Sequence, residues 1–138
     1  MPGAELILLH GALGDVSQLA SLAERLGNTR RVTRLEFEGH GASRLRDRPL
    51  RIESLAADVI ERMDEAGIAR VDLFGYSMGG YVALYLAATA PDRVRRAATL
   101  ATKLAWTPDA QAGSGGNPLW KAGSVDGGRR HRFLPGPV

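Results

Sequence analysis

Short apolar runs alternate with amphipathic stretches along the first hundred residues. Glu5–Leu9 is a compact apolar run ending at His10-Gly11, the pattern of a buried strand meeting a turn. Asp15 or Ser17 then offers a side-chain cap. Beyond it Leu19, Leu22, Ala23 and Leu26 fall at i, i+3, i+4 and i+7, which predicts an amphipathic helix stopped by Gly27. Arg31–Phe37 reads as a second strand, and it runs into the turn-rich Gly39-His40-Gly41-Ala42-Ser43.

After a charged connection over residues 44–51, Ile52, Leu55, Ala56, Val59 and Met63 share one helical face, with Gly67 as the stop. Arg70–Phe74 predicts a third strand. From Leu73 through Pro91 no residue is charged, so a helix from Ser77 to about Ala90 is apolar nearly all round and is expected to be buried. Pro91 lies just past its end. Val94–Ala101 reads as a fourth strand, with Ala97, Ala98 and Ala101 leaving room for neighbours.

Strands alternating with helices at these connection lengths pair in parallel through right-handed crossovers. The prediction is an α/β fold: a mostly parallel sheet of about four strands, order 2-1-3-4, with flanking helices. With the fourth strand at the edge, an apolar strand is left without a neighbour on one side, a liability for solubility. Residues 1–108 form the folded unit. Residues 109–138 hold 7 of the 17 glycines and 3 of the 7 prolines without apolar periodicity. Gly113-Ser114-Gly115-Gly116 and Gly127-Gly128-Arg129-Arg130 read as coil, and this tail is expected to be disordered.

Composition changes the picture little. Of 138 residues, 44% are hydrophobic and 24% charged, ordinary for a globular domain. The net charge of +3 arises in the tail: residues 1–110 carry 14 basic and 14 acidic side chains, residues 111–138 carry 4 and 1. That distribution describes a solvated end rather than a nucleic-acid surface. With no cysteine, thiolate catalysis, disulfides and Cys-based metal sites are excluded. No run approaches the roughly 18 apolar residues of a membrane span, and Leu6–Leu9 is too short for a signal-peptide core; a cytoplasmic protein is expected.

The candidate chemistry lies where the third strand meets the apolar helix, at Gly75-Tyr76-Ser77-Met78-Gly79. A serine hydroxyl must be presented in the open, beside donors that hold an oxyanion, before it serves as a nucleophile. A tight strand-to-helix turn presents it. Residues two before and two after the serine crowd each other there, so Gly75 and Gly79 are required, while Gly80 lets the helix approach the sheet. Unpaired N–H groups and the positive dipole end at the helix start favour negative charge, with the Met78 N–H aimed at the oxyanion. In strand order 2-1-3-4 the loop His10-Gly11-Ala12-Leu13 flanks the same switch point, which makes the Ala12 N–H the second donor. His10 itself is expected to shape its loop through hydrogen bonds rather than to act as the base. The competing reading of the motif is a Gly-rich turn that holds a phosphate.

Leu6-Ile7-Leu8-Leu9-His10-Gly11, Gly39-His40-Gly41-Ala42-Ser43 and Gly75-Tyr76-Ser77-Met78-Gly79-Gly80 follow one another as they do in the α/β-hydrolase superfamily. Over residues 4–108 the chain resembles its small carboxylesterases. The resemblance implies that Ser77 is the nucleophile, that Met78 and Ala12 form the oxyanion hole, and that His40 is structural; Glu38 stands where the family usually has proline. It implies a small-molecule ester or other acyl substrate, and no cofactor, metal, nucleic acid or membrane. Oligomeric state stays open.

The family's triad runs Ser, then Asp or Glu, then His, with acid and base on later strands. Neither is assigned here. His131, the only histidine after Ser77, sits between Arg130 and Arg132, and Asp109 and Asp126 have no better support. The change of texture after Pro108 fits a shifted reading frame or a truncated product, and an impaired enzyme is expected. The alternative function is a non-catalytic fragment that binds a small ligand or a partner.

Overall fold

A computed structural model describes residues 4–12, 14–44 and 46–104, and the backbone of 125–126 and 129–130. The apolar runs form strands β1 (Leu6–Leu9), β2 (Val32–Leu35), β3 (Val71–Tyr76) and β4 (Val94–Leu100). They pair in parallel in the expected order, β2-β1-β3-β4. Leu6 lies opposite both Val32 and Asp72, Leu9 opposite Gly75, and Gly75 opposite Thr99. The register therefore brings the carboxyl ends of β1 and β3 side by side at the switch point.

The first amphipathic stretch begins as a 3₁₀ turn, Val16–Leu19, and continues as α1 (Ala20–Gly27). Asp15 is the cap, its carboxylate accepting the Ser17 N–H at 2.8 Å. Helix α2 (Ile52–Glu65) buries the five residues that share its apolar face. It ends where the Gly67 N–H donates to the Asp64 carbonyl and the Ile68 N–H to that of Met63, with Gly67 at φ +68°. A side chain is strained in that left-handed turn, which is why glycine stops the helix there.

Helix α3 (Met78–Thr89) is buried along its first six residues and at Leu86. It shares one apolar core with α2 and with Ile7, Leu9, Leu35, Phe37, Val71, Leu73 and Val94. Leu6 and Leu8, pointing to the opposite face, are buried as well. Along β4 only Val94 is buried, and Leu100 and Leu104 are 58% and 54% exposed. Among the described residues nothing pairs with its outer edge.

At the amino end of β3, Asp72 is a buried carboxylate between two arginines. Arg95 grips it with Nε and Nη2, at 2.8 and 2.6 Å, and Arg30 reaches it at 2.5 Å. The Arg95 fork first, and Arg30 after it, hold the Asp72 carboxyl below the usual aspartate value of 3.8. This cluster ties β2's entry, β3 and β4 together roughly 15 Å from Ser77, about five strand residues away.

The tail's expected disorder falls on residues outside the described ones, except at two places. Val125–Asp126 (β5) and Arg129–Arg130 (β6) pair antiparallel, which corrects the reading of Arg129 and Arg130 as coil. Two-residue strands carry no periodicity to read.

Replacing Asp72 by Asn leaves two arginines facing a neutral amide. Because both guanidinium groups are partly exposed, Asp72→Asn is expected to cost about 2 kcal/mol, below the usual penalty for splitting a buried pair. Urea unfolding at pH 7 measures it, and an unchanged midpoint refutes the cluster's role. The wild-type advantage should shrink as pH falls through 3.8 and below, because a carboxyl with a depressed pKa loses its stabilising charge there.

Candidate active site

Ser77 occupies the single residue between β3 and α3, at φ 51° and ψ −112°. Positive φ in a residue with a Cβ costs roughly 1–3 kcal/mol and survives only where the surroundings over-determine it. Here they do. The Ser77 N–H donates to the Leu100 carbonyl at 2.8 Å, extending the β3–β4 pairing by one residue. Its carbonyl accepts the Gly80 N–H at 3.0 Å and the Thr102 hydroxyl at 2.9 Å. Thr102 arrives there because the chain turns after β4 at Ala101, itself at φ 57°. The hydroxyl of Ser77, half-buried, has no hydrogen-bond partner among the described residues.

Both elbow glycines are demanded by backbone. A Cβ on Gly75 would overlap the Gly79 carbonyl and the Gly80 nitrogen; one on Gly79 would overlap the carbonyls of Leu9 and His10. The second contact seats the start of α3 directly against the end of β1. At Gly80 the obstacle is a side chain instead, since a Cβ there would overlap the Thr102 hydroxyl.

Ala12 and Met78 are the two expected oxyanion donors, and neither N–H takes part in a hydrogen bond among the described residues. For Met78 this follows from its place as the first residue of α3. Around Ala12 the peptide is held from behind. The Gly11 carbonyl, in the same peptide unit as the Ala12 N–H, faces His10 Nδ1 at 2.8 Å and accepts the Gly14 N–H at 3.1 Å. A trans peptide directs its N–H opposite to its carbonyl, so these two bonds set the direction of the Ala12 donor.

His10 is buried and occupied at both ring nitrogens. Nε2 accepts the Phe37 N–H at 3.1 Å, which leaves Nδ1 as the protonated nitrogen that donates to Gly11. Burial first, and His40 5.1 Å away second, push its pKa below 6.5, against the upward pull of the Gly11 bond. His40 Nδ1 lies 3.0 Å from the Glu38 carbonyl. Neither histidine contacts Ser77 through a hydrogen bond. No group of three or more His, Asp or Glu among the described residues is placed to hold a metal.

Sequence reasoning passed over the electrostatic frame behind this site. Glu38 is buried and accepts the Arg46 N–H at 3.0 Å and Arg48 Nε at 2.7 Å. Arg48 continues to Asp58 on α2, and Asp58 also accepts the Glu38 N–H at 3.2 Å. The charged connection after β2 is thus strapped to α2, and glutamate rather than proline at 38 is what anchors the strap. The available signal was the pairing of Arg46 and Arg48 with Asp58 and Glu61, one turn apart on a helix. Thr102 offered none, because its partner is a backbone carbonyl.

Two consequences are measurable. Gly75→Ala forces backbone apart and is expected to cost at least about 3 kcal/mol. Gly27→Ala, where a Cβ meets nothing within 4 Å, should instead gain about 0.5 kcal/mol. Equal urea midpoints for the two variants would refute the crowding. As for pH, a histidine with a lowered folded pKa adds no pH dependence well above 6.5, where both states are neutral. Below 6.5 the unfolded chain takes the proton first, so stability declines as pH falls. Wild type should lose more stability than His10→Gln between pH 7 and 5; parallel curves would contradict this.

A family model described as the alpha/beta hydrolase fold matches residues 5–136. Esterase YbfF of Escherichia coli is 32% identical over 89 residues, 64% of this chain and 35% of its own length. The pimeloyl-[acyl-carrier protein] methyl ester esterase of Neisseria meningitidis is 37% identical over 97 residues, 69% of this chain and 36% of its own. The crystal structure of the enol-lactonase from Burkholderia xenovorans superposes with a TM-score of 0.75 at 32% identity, over 82% of this chain and 44% of that one. This chain thus spans about a third of these relatives and under half of the solved structure. The family match over nearly the whole chain, on a sheet of this order with a strained serine at this turn, makes the protein a member of the α/β-hydrolase family.

Proposed function

We propose that this chain carries the nucleophile and oxyanion hole of a serine hydrolase acting on small-molecule esters. The carrying observation is Ser77: a strained residue at the start of a buried helix, where neither its hydroxyl nor the helix's first N–H has a partner among the described residues. Backbone strain of this kind, held in place by its surroundings, is commonest at active sites and ligand clamps. The esterase and lactonase relatives favour esters, open or cyclic, over other acyl compounds.

In this reading Ser77 Oγ attacks the ester carbonyl carbon as the hydroxyl proton leaves to a base. Negative charge moves to the carbonyl oxygen, where the N–H groups of Ala12 and Met78 receive it. Collapse breaks the bond to the alkoxy oxygen, which takes a proton and departs as the alcohol, leaving acyl-Ser77. Water then repeats the sequence and releases the carboxylic acid. Base and acid are not assigned to any described residue, because His10 uses both ring nitrogens for backbone. A phosphate-holding turn fits less well, since nothing in anion binding calls for a strained serine.

An activated ester tests the reading because its leaving group needs no acid. Purified chain with p-nitrophenyl acetate should release p-nitrophenolate and gain one acetyl group on the peptide containing Ser77, and Ser77→Ala should do neither. Donors alone support roughly 10³-fold acceleration over solvent. A folded wild-type chain that reacts no faster than Ser77→Ala leaves a non-catalytic ligand-binding fragment as the reading.

A further inference from the structure

The loop after β1 holds two adjacent backbone donors, the N–H groups of Gly11 and Ala12, and the oxyanion role assigned above uses only the second. Gln18, on the 3₁₀ turn, accounts for the first: its Oε1 accepts the Gly11 N–H at 2.8 Å. The fit is built from both sides. A Cβ on Gly14 would lie 2.7 Å from Gln18 Oε1, and one on Gly11 would stand 3.4 Å from that oxygen and 3.0 Å from the Tyr76 ring. Gly11 is therefore enclosed between the Gln18 amide and the side chain that precedes the candidate nucleophile.

The turn that carries Gln18 is itself fixed. Asp15 caps it, Arg34 Nη1 donates to the Val16 carbonyl at 2.7 Å, and the Gln18 N–H donates to the Asp15 carbonyl at 3.1 Å. Gln18 is thus an acceptor on a rigid mount, and its amide oxygen is directed inward although the residue is largely exposed.

We propose that Gln18 is a positioning residue for the oxyanion loop: by taking the Gly11 N–H it leaves Ala12, and not Gly11, to donate to an oxyanion, and it fixes the plane from which that donor points. The inference rests on the serine-hydrolase reading. A neutral carboxamide is suited to the task, because it accepts one N–H without placing a negative charge beside an oxygen that becomes negative. Tight placement matters at such a donor, since an error near 1 Å costs on the order of 10²-fold in rate.

Two variants and two readouts test it. Gln18→Leu keeps the size and removes the acceptor; Gln18→Glu keeps the acceptor and adds charge. Amide hydrogen exchange of Gly11 follows the bond, and acetylation of Ser77 by p-nitrophenyl acetate follows the chemistry as a maximal rate and a half-saturation concentration. For Gln18→Leu the expected result is faster Gly11 exchange and a maximal rate at least about tenfold lower at unchanged half-saturation. For Gln18→Glu, Gly11 protection should return while the rate stays low, a split that a merely structural residue would not produce. Wild-type rates in Gln18→Glu, or wild-type Gly11 exchange in Gln18→Leu, would overturn the proposal. Should Gln18→Leu fail to fold, the Gln18→Glu arm decides alone. A wild-type chain without Ser77 acetylation brings down the hydrolase reading and this inference with it, whereas acetylated wild type with an equally fast Gln18→Glu brings down only this one.

Discussion

Direct contact between two stretches of backbone, at Gly75 against Gly79 and at Gly79 against the end of β1, organises everything near Ser77. Close-packed interiors leave no slack for a methyl group at such a contact. The contact pushes the start of α3 down onto the sheet, and the turn between them must then be made by one residue. That residue takes a conformation sustained by its hydrogen bond to the Leu100 carbonyl and by those it accepts from Gly80 and Thr102. The same approach seats the start of α3 against the end of β1. Serine geometry and helix burial are consequences of one steric fact.

The fold was legible because apolar spacing reports burial directly. All five residues on the predicted face of α2 are buried, and an uncharged stretch from Leu73 to Pro91 became a strand and the most enclosed helix. Parallel pairing followed from connection length and crossover handedness, and the order supposed with it, with the first and third strands as neighbours, is the one the sheet has. Ser77 was legible for a different reason: its flanking glycines are a steric signature, readable at a spacing of two. Glu38 was not, since a buried acid looks like an exposed one until its arginines are located across a loop and a helix. Thr102 and Gln18 escaped for a related reason. Each bonds to backbone, and backbone partners leave no trace in residue types.

Polar groups around the site divide by what they hold. His10 spends both nitrogens on main chain, linking the loops that follow β1 and β2. Glu38, with Arg48 and Asp58, fastens the next stretch of chain to α2. Burial and then the neighbouring Glu38 carboxylate raise the Asp58 pKa, and Arg48 and the Glu38 N–H oppose the shift. None of these groups meets the Ser77 hydroxyl. They make rigid loops out of segments that carry few apolar residues of their own.

The Asp72 cluster lies at the other end of β3 from Ser77, and this separation has an evolutionary consequence. Arg30, Asp72 and Arg95 bind the sheet at the ends where its strands begin. The loops that meet at Ser77 leave from the ends where the strands finish. Changes in those loops can alter the surroundings of Ser77 without disturbing the ionic joint, and the joint can be strengthened without touching those loops. A lineage with this layout can remodel one rim of the sheet while the opposite rim conserves its fold.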